Sequence, residues 1–318
     1  MKHLSPALGY ALKGIYRPLE MIARFRQLTS PLSGDVSITR NLSYGSHTMQ
    51  TCDVLYPTSP SSHLRPVVLI VHGGSWVAGD KILLSAASQY IAMQGFVVVN
   101  MNYRLAPQFP YIKQIQDVSL CLKWVAHHIG DFGGSRNQIF LLGETSGANL
   151  VTAYATALSY PYLRNTYQIP YCLPTEALKG VLSFYGIFDL DRGILANVPF
   201  ISHFYEAFLG SSQDKITEMI DIASPLRFAH KNLPPFFLAS GENDPLFTQS
   251  VLFARKLRSI DHPYVTTFLQ KEQYPDAQHL FFYLQNKTTN KTLADGVQFM
   301  KHYGLPNRSQ RTTSTAVA

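Results

Sequence analysis

The segment LLGETSGANL, residues 141–150, places two hydroxyl side chains, Thr145 and Ser146, between two glycines, Gly143 and Gly147. IFLL before the bend is an apolar run of strand character, and SGANLVTAYATALSY after it has the length and composition of a helix. A strand, a sharp bend and a helix, with small residues two places either side of the centre, make a nucleophile elbow. The small residues let strand and helix approach, and the bend projects the central side chain into the crevice above the sheet. The centre here is position 145. A hydroxyl held there acts as a nucleophile when a base takes its proton and N–H donors receive the oxyanion formed on the attacked carbonyl. The amide of the next residue is one such donor.

Three other segments could supply the rest. IVHGGSWVAGDK, residues 70–81, follows an apolar run with a glycine pair, and so flexible a loop can aim consecutive backbone N–H groups at one oxygen. Taken alone it is also an ordinary strand-end turn, with His72 satisfied locally. In FLASGENDPLF, Asp244 follows a strand-like run and a glycine turn, where a carboxylate can orient an imidazole. In YPDAQHLFF, His279 precedes an apolar helix-like run. An Asp before Pro is often a cap or turn former, and a lone His is more often structural. Their order carries more weight: nucleophile position, then Asp, then His is the chain order of an α/β-hydrolase.

The elements needed to position these groups are visible from about residue 50 onward. TCDVLYP, VVLIVHGG, FVVVNMNY, IFLLGE, GVLSFYGIF and FFLASGE read as strands, alternating with the helical runs KILLSAASQYIAMQG, DVSLCLKWVAHHIGDFGG and SGANLVTAYATALSY. VVLIV and FVVVN are continuously apolar, as strands buried on both faces of a parallel sheet are. Gly95 and Gly130 stand where helix-stop glycines would. The alternation predicts an α/β fold with a doubly wound, mostly parallel sheet flanked by helices, and functional groups at the carboxyl ends of its strands. The Tyr- and Pro-rich residues 159–178 and the stretch 190–235 interrupt the alternation. With the N-terminal helix, they are candidates for a small cap over the crevice.

Together these segments resemble the hormone-sensitive-lipase-like esterase group of the α/β-hydrolases, with features of the arylformamidase and feruloyl-esterase-like relatives. HGGSW is similar to the group's H-G-G-G-[FW] or H-G-G-x-W loop, and NYRLAPQFPYIKQIQDVSLCLKWV to its N-Y-R-L-A-P…F-P…D…W segment. GGSRNQIFLLGETSGANL parallels G-G-D…R-I-x-L-x-G-[DE]-S-A-G-A-x-L, and SGENDPL and DAQHLF match the acid and histidine segments. The resemblance covers about residues 50–300. It implies hydrolysis of a carboxylic ester without cofactor or metal, with the nucleophile at 145, the acid at Asp244 and the base at His279. It also implies oxyanion donors at the N–H groups of Gly74, Ser75 and Ser146, with His72 and Gly73 shaping the loop. The substrate class it implies is a small-molecule ester, and the Tyr- and Phe-rich loops favour an apolar acyl or aryl group.

Two residues depart from the pattern. Ser75 replaces a third glycine, which costs little because the backbone is the donor. Thr145 stands where the group has serine, and Ser146 where it has alanine. Three readings follow. Thr145 is a nucleophile slowed by its β-methyl, which restricts χ1 and strains the elbow by roughly 1–3 kcal/mol. Alternatively Ser146 acts through a shifted turn, or the site is idle and the pocket binds an apolar ligand or partner, as non-catalytic members of the group do. An amidase or arylformamidase chemistry is a further alternative.

Composition excludes other classes. The chain has 318 residues, 46% hydrophobic and 12% aromatic, enough for a large core in one domain, and 15% charged, too few for a coiled coil or disordered chain. A net charge of +7 is spread along the chain without dense runs, so no nucleic-acid partner is expected. Cys52, Cys121 and Cys172 lie far apart, which argues against a zinc site or disulfide framework and favours a reducing, cytoplasmic setting. Cys121 reads as core. The basic, amphipathic N-terminus carries Leu12, Ile15, Leu19, Ile22 and Phe25 at helical spacing, broken by Pro18. It lacks the look of a secretory signal, and it is read as a cap or as a peripheral membrane contact. The expected division is an N-terminal helical arm over 1–40, a hydrolase domain over 41–304 and a polar, disordered tail over 305–318. Oligomeric state leaves no mark in the sequence.

Overall fold

A computed structural model describes residues 34–191, 208–209, 216–284 and 286–304, together with residues 14, 17, 18 and 20–22. The expected tail over 305–318 and most of the N-terminal arm lie outside these residues. Among the described residues no helix is long and apolar enough to cross a membrane.

Eight strands form one sheet in the order β1-β2-β4-β3-β5-β6-β7-β8. They are β1 (Val36–Ser43), β2 (Thr51–Pro57), β3 (Arg65–Val71), β4 (Val97–Met101), β5 (Gly134–Glu144), β6 (Leu178–Phe184), β7 (Phe236–Gly241) and β8 (Tyr264–Leu269). β2 runs antiparallel to both of its neighbours, β1 and β4, and every other pairing is parallel. The apolar runs in β3 and β4 are strands buried on both faces. Val67, Leu69 and Val71 face one hydrophobic cluster and Val68 and Ile70 the other, following the two-residue period of a strand.

The helices are α1 (Ser85–Met93), α2 (Tyr111–His128), α3 (Ser146–Ser159), α4 (Pro161–Tyr167), α5 (Ile216–Ile222), α6 (Phe247–Ser259) and α7 (Lys287–Gly304). Side chains of α2, α3 and α6 enter one cluster, and those of α1 and α7 the other. This is the doubly wound, mostly parallel arrangement the alternation predicts. Cys121 is fully buried on α2, among the side chains of the first cluster.

Several local expectations change. β1 spans the expected domain boundary at residue 40, so the sheet begins inside the stretch assigned to the arm. β8 was not anticipated; its residues YVTTFL are mostly half-exposed, with only Leu269 buried, so no apolar run marks it. Helix α2 ends at His128, so Gly130 stands two residues past its end, as expected of a helix-stop glycine. A short 3-10 turn over Ile129–Phe132 follows α2, and Gly133 takes the left-handed conformation with φ 74°. Part of the Tyr- and Pro-rich stretch is helix α4, with Pro161 in its first turn.

The motif N-Y-R-L positions the site from behind. Asp117 on α2 is fully buried and accepts the Arg104 backbone N–H at 2.9 Å, its guanidinium at 2.6 Å and Gln50 Nε2 at 2.7 Å. Arg104 thereby anchors the loop that brings the Ala106 N–H to the Trp76 carbonyl at 3.0 Å. β5 and α3 meet through their glycines. A Cβ on Gly143 would lie 2.5 Å from the Ala148 nitrogen, and one on Gly147 would collide with the Val71 and His72 carbonyls. These obstacles are backbone and cannot swing aside. Gly147→Ala is therefore expected to lower stability by about 3 kcal/mol or more, read as a drop in Tm. A Tm within a degree or two of the parent would show that strand and helix are not in van der Waals contact there.

Candidate active site

Thr145 is the single residue between the end of β5 and the start of α3. Its φ of 45° and ψ of −115° lie outside the regions β-branched residues favour. The conformation is held from both sides: its N–H donates to the Phe184 carbonyl of β6 at 3.1 Å, and its carbonyl accepts the Asn149 N–H at 3.2 Å. Ser146 is the first residue of α3 and fully buried. The Thr145 hydroxyl oxygen accepts the Ser146 N–H and lies 3.4 Å from Ser146 Oγ. It also occupies the space that a side chain on Gly73 would need. The hydroxyl thus sits against the loop that follows β3.

The loop after β3 comes round to meet it. Gly74, Ser75 and Trp76 have successive positive φ values of 119°, 53° and 63°. Only glycine adopts such angles freely, so Ser75 and Trp76 are held by their surroundings. The Val77 and Ala78 N–H groups donate to the Gly74 carbonyl at 3.1 and 3.0 Å, and Gln114 Nε2 donates to the Trp76 carbonyl at 2.8 Å. His72 is fully buried, stacked on Tyr103 with ring centres 4.5 Å apart. Its Nδ1 is 2.6 Å from the Gly73 carbonyl, which calls for the proton on Nδ1, and its own carbonyl accepts the Tyr103 hydroxyl at 3.1 Å. Trp76 is also fully buried. Phe208, from the stretch marked as a candidate cap, stacks on it at 4.0 Å.

Asp244 and His279 are brought together by a missing side chain. Gly241 ends β7, and a Cβ there would collide with the Ala277 carbonyl. The histidine loop therefore packs directly on the turn that carries Asp244. His279 Nδ1 lies 3.0 and 3.2 Å from the two Asp244 carboxylate oxygens. Asp244 is buried, while the His279 side chain is 30% exposed, open enough to meet a ligand. Tyr185, itself at φ 38°, sets its ring edge-to-face against His279 at 5.2 Å. The apolar run after His279 is one 3-10 turn, Phe281–Tyr283, and not a longer helix.

The fold thus gathers all the residues expected from the sequence at one end of the sheet: Thr145, Asp244 and His279, with Gly74, Ser75 and Ser146 and the supporting His72 and Gly73. One contact is missing from the set. Among the described residues His279 makes no hydrogen bond to Thr145 or Ser146, because the threonine hydroxyl turns to the Ser146 amide. Two participants went unrecognised in the sequence. Glu144, fully buried, accepts the Gly73 N–H and the Tyr283 hydroxyl, the latter at 2.6 Å. Its signal was an acid at the end of an apolar strand; Tyr283 had no signal at all. Burial raises the Glu144 carboxyl above its ordinary value, opposed by the bonds from Tyr283 and Gly73 and by the His279 charge.

An elbow, a strained oxyanion-type loop and a carboxylate-held imidazole at the carboxyl ends of a mostly parallel sheet define an α/β-hydrolase. The sequence model of the BD-FAE family matches residues 52–257, and the chain belongs to that family. It is 27% identical over 297 residues to Esterase LipC of Mycobacterium tuberculosis, covering 89% of this chain and 71% of LipC. It is 28% identical over 222 residues to Esterase LipQ of the same organism, covering 68% of this chain and 50% of LipQ. The chain thus spans about half the length of LipQ. Among solved structures, Esterase B from Lactobacillus rhamnosis superposes with a TM-score of 0.82 at 19% identity, covering 96% of each chain, a likeness of fold.

Burial carries a pH consequence at His72. It holds the imidazole below its ordinary 6.5, against the upward pull of the Gly73 carbonyl and Asp80. The unfolded chain binds that proton more readily, so stability declines as pH falls through about 6.5 towards the lowered folded value. Thermal melts from about pH 7.5 to 5 should show Tm decreasing on the acid side, with a shallower decrease in His72→Gln. An identical slope in the two proteins would assign the effect elsewhere.

Proposed function

We propose that this chain hydrolyses carboxylic esters with a small-to-medium apolar acyl or aryl group, with Thr145 as a slow nucleophile. The observation that carries the reading is the Asp244–His279 pair at the same end of the sheet as an elbow whose central hydroxyl lies against the loop after β3. Rotation of Thr145 about χ1 turns its hydroxyl from the Ser146 amide toward His279. His279 takes the proton while the oxygen attacks the ester carbonyl, and Asp244 holds the Nδ1 proton and stabilises the imidazolium. The N–H groups of Gly74, Ser75 and Ser146 receive the tetrahedral oxyanion. His279 then gives its proton to the departing alcohol, and water, deprotonated by His279, releases the acid from Thr145.

The threonine sets the rate. The hydroxyl that accepts the Ser146 N–H at rest occupies a donor the transition state needs, and the β-methyl limits how the side chain reaches the carbonyl. A misplacement of about 1 Å costs roughly 100-fold in rate. The same resting contact favours a second reading, in which the pocket binds an apolar ligand without turnover. Relatives named esterases and a carboxylesterase, NlhH of Mycobacterium tuberculosis, support the first.

Hydrolysis of short p-nitrophenyl esters separates the two. Thr145→Ser should raise kcat about 100-fold, and Thr145→Ala and His279→Ala should abolish the basal activity. Activity lost in Ser146→Ala and retained in Thr145→Ala would move the nucleophile to Ser146. Inactivity of every variant, with retained binding of a small apolar ester analogue, would establish the ligand-binding reading.

A further inference from the structure

Glu144 lies between the nucleophile position and two loops that are far apart in sequence. Its Oε1 accepts two donors, the Gly73 N–H from the oxyanion loop and the Tyr283 hydroxyl from the turn after His279. One oxygen atom therefore joins the loop that holds the oxyanion donors to the loop that holds the base. Its Oε2 is buried and has no hydrogen-bond partner among the described residues. A neutral carboxyl would have to place its proton on Oε2, where nothing accepts it, or on Oε1 at the expense of an incoming donor. Burial, the largest influence, and the Asp244 charge raise the Glu144 carboxyl, and the two donated bonds and the His279 charge oppose that rise.

We infer that Glu144 is a positioning residue for the hydrolysis: its carboxylate straps the oxyanion loop to the histidine loop. The inference rests on the hydrolase reading above. Glu144 acts through Gly73, Tyr283 and His279, without touching substrate. By taking up the Gly73 N–H, it sets the orientation of the peptide that leads into Gly74 and Ser75. Position 144 is the residue before the nucleophile, so the strap and the elbow are fixed by the same bend.

Two near-isosteric variants weaken the strap from its two ends. Glu144→Gln turns both charge-assisted bonds into neutral ones, and Tyr283→Phe removes one bond. In the faster Thr145→Ser background, Glu144→Gln should lower kcat about tenfold with KM within about twofold. A fall in kcat at constant KM, with Tm within a degree or two of the parent, is an effect that a purely structural role would not give. In the otherwise natural protein, Tyr283→Phe should raise amide hydrogen exchange several-fold in residues 72–79, a segment that does not contain Tyr283. An unchanged kcat in Glu144→Gln, or unchanged exchange at 72–79 in Tyr283→Phe, overturns the inference. Exchange needs no turnover. If neither the natural protein nor Thr145→Ser hydrolyses any ester, the hydrolase reading fails, and the exchange result alone still decides whether the strap exists.

Discussion

The structure depends on one tight bend, where a strand buried on both faces becomes a buried helix across a single residue. β5 pairs with β3 on one side and β6 on the other, and α3 packs back over the same sheet. Only glycine at 143 and 147 permits that approach, since a side chain at either would meet backbone. The intervening residue is forced to φ 45°, and its side chain must point out of the sheet. Whatever stands at 145 is presented to the crevice, and its neighbour at 144 is driven against the loop after β3. Presenter and support are thus two consequences of the same bend.

Backbone strain is concentrated around that bend. Of the eight non-glycine residues with positive φ among the described residues, five lie at the site: Ser75, Trp76, Thr145, Tyr185 and Leu280. Each conformation costs on the order of 1–3 kcal/mol and persists only where packing and hydrogen bonds over-determine it. Trp76 shows how: its indole is buried beneath Phe208, and its carbonyl is held by Gln114 and Ala106. Gly241 provides the complementary economy on the far side, where an absent side chain lets the histidine loop reach the acid.

Much of this was legible in the chain. The continuous apolar runs VVLIV and FVVVN announced strands buried twice over, and the glycine spacing around 145 announced the elbow. Segments carrying Asp244 and His279 were recognisable by their order and their surroundings. Other features were not, for definite reasons. β8 pairs along one side only and buries little, so its residues lack an apolar period. β1 precedes the expected boundary because sheet pairing, which no local pattern encodes, extends past residue 40. The 3-10 turn that follows α2, capped by Gly133, left no separate mark in the sequence.

By itself, the sequence determined the class of fold, the order of the chemical groups and the unusual residue at 145, since these rest on periodicity, glycine spacing and residue type. Only the tertiary structure decided which groups meet. The Thr145 hydroxyl faces the Ser146 amide, His279 is held by Asp244 and edged by Tyr185, and Glu144 bridges Gly73 to Tyr283. The last contact spans 139 residues of chain. Such partnerships follow from loops converging at the ends of a sheet, and a one-dimensional pattern holds no record of that convergence.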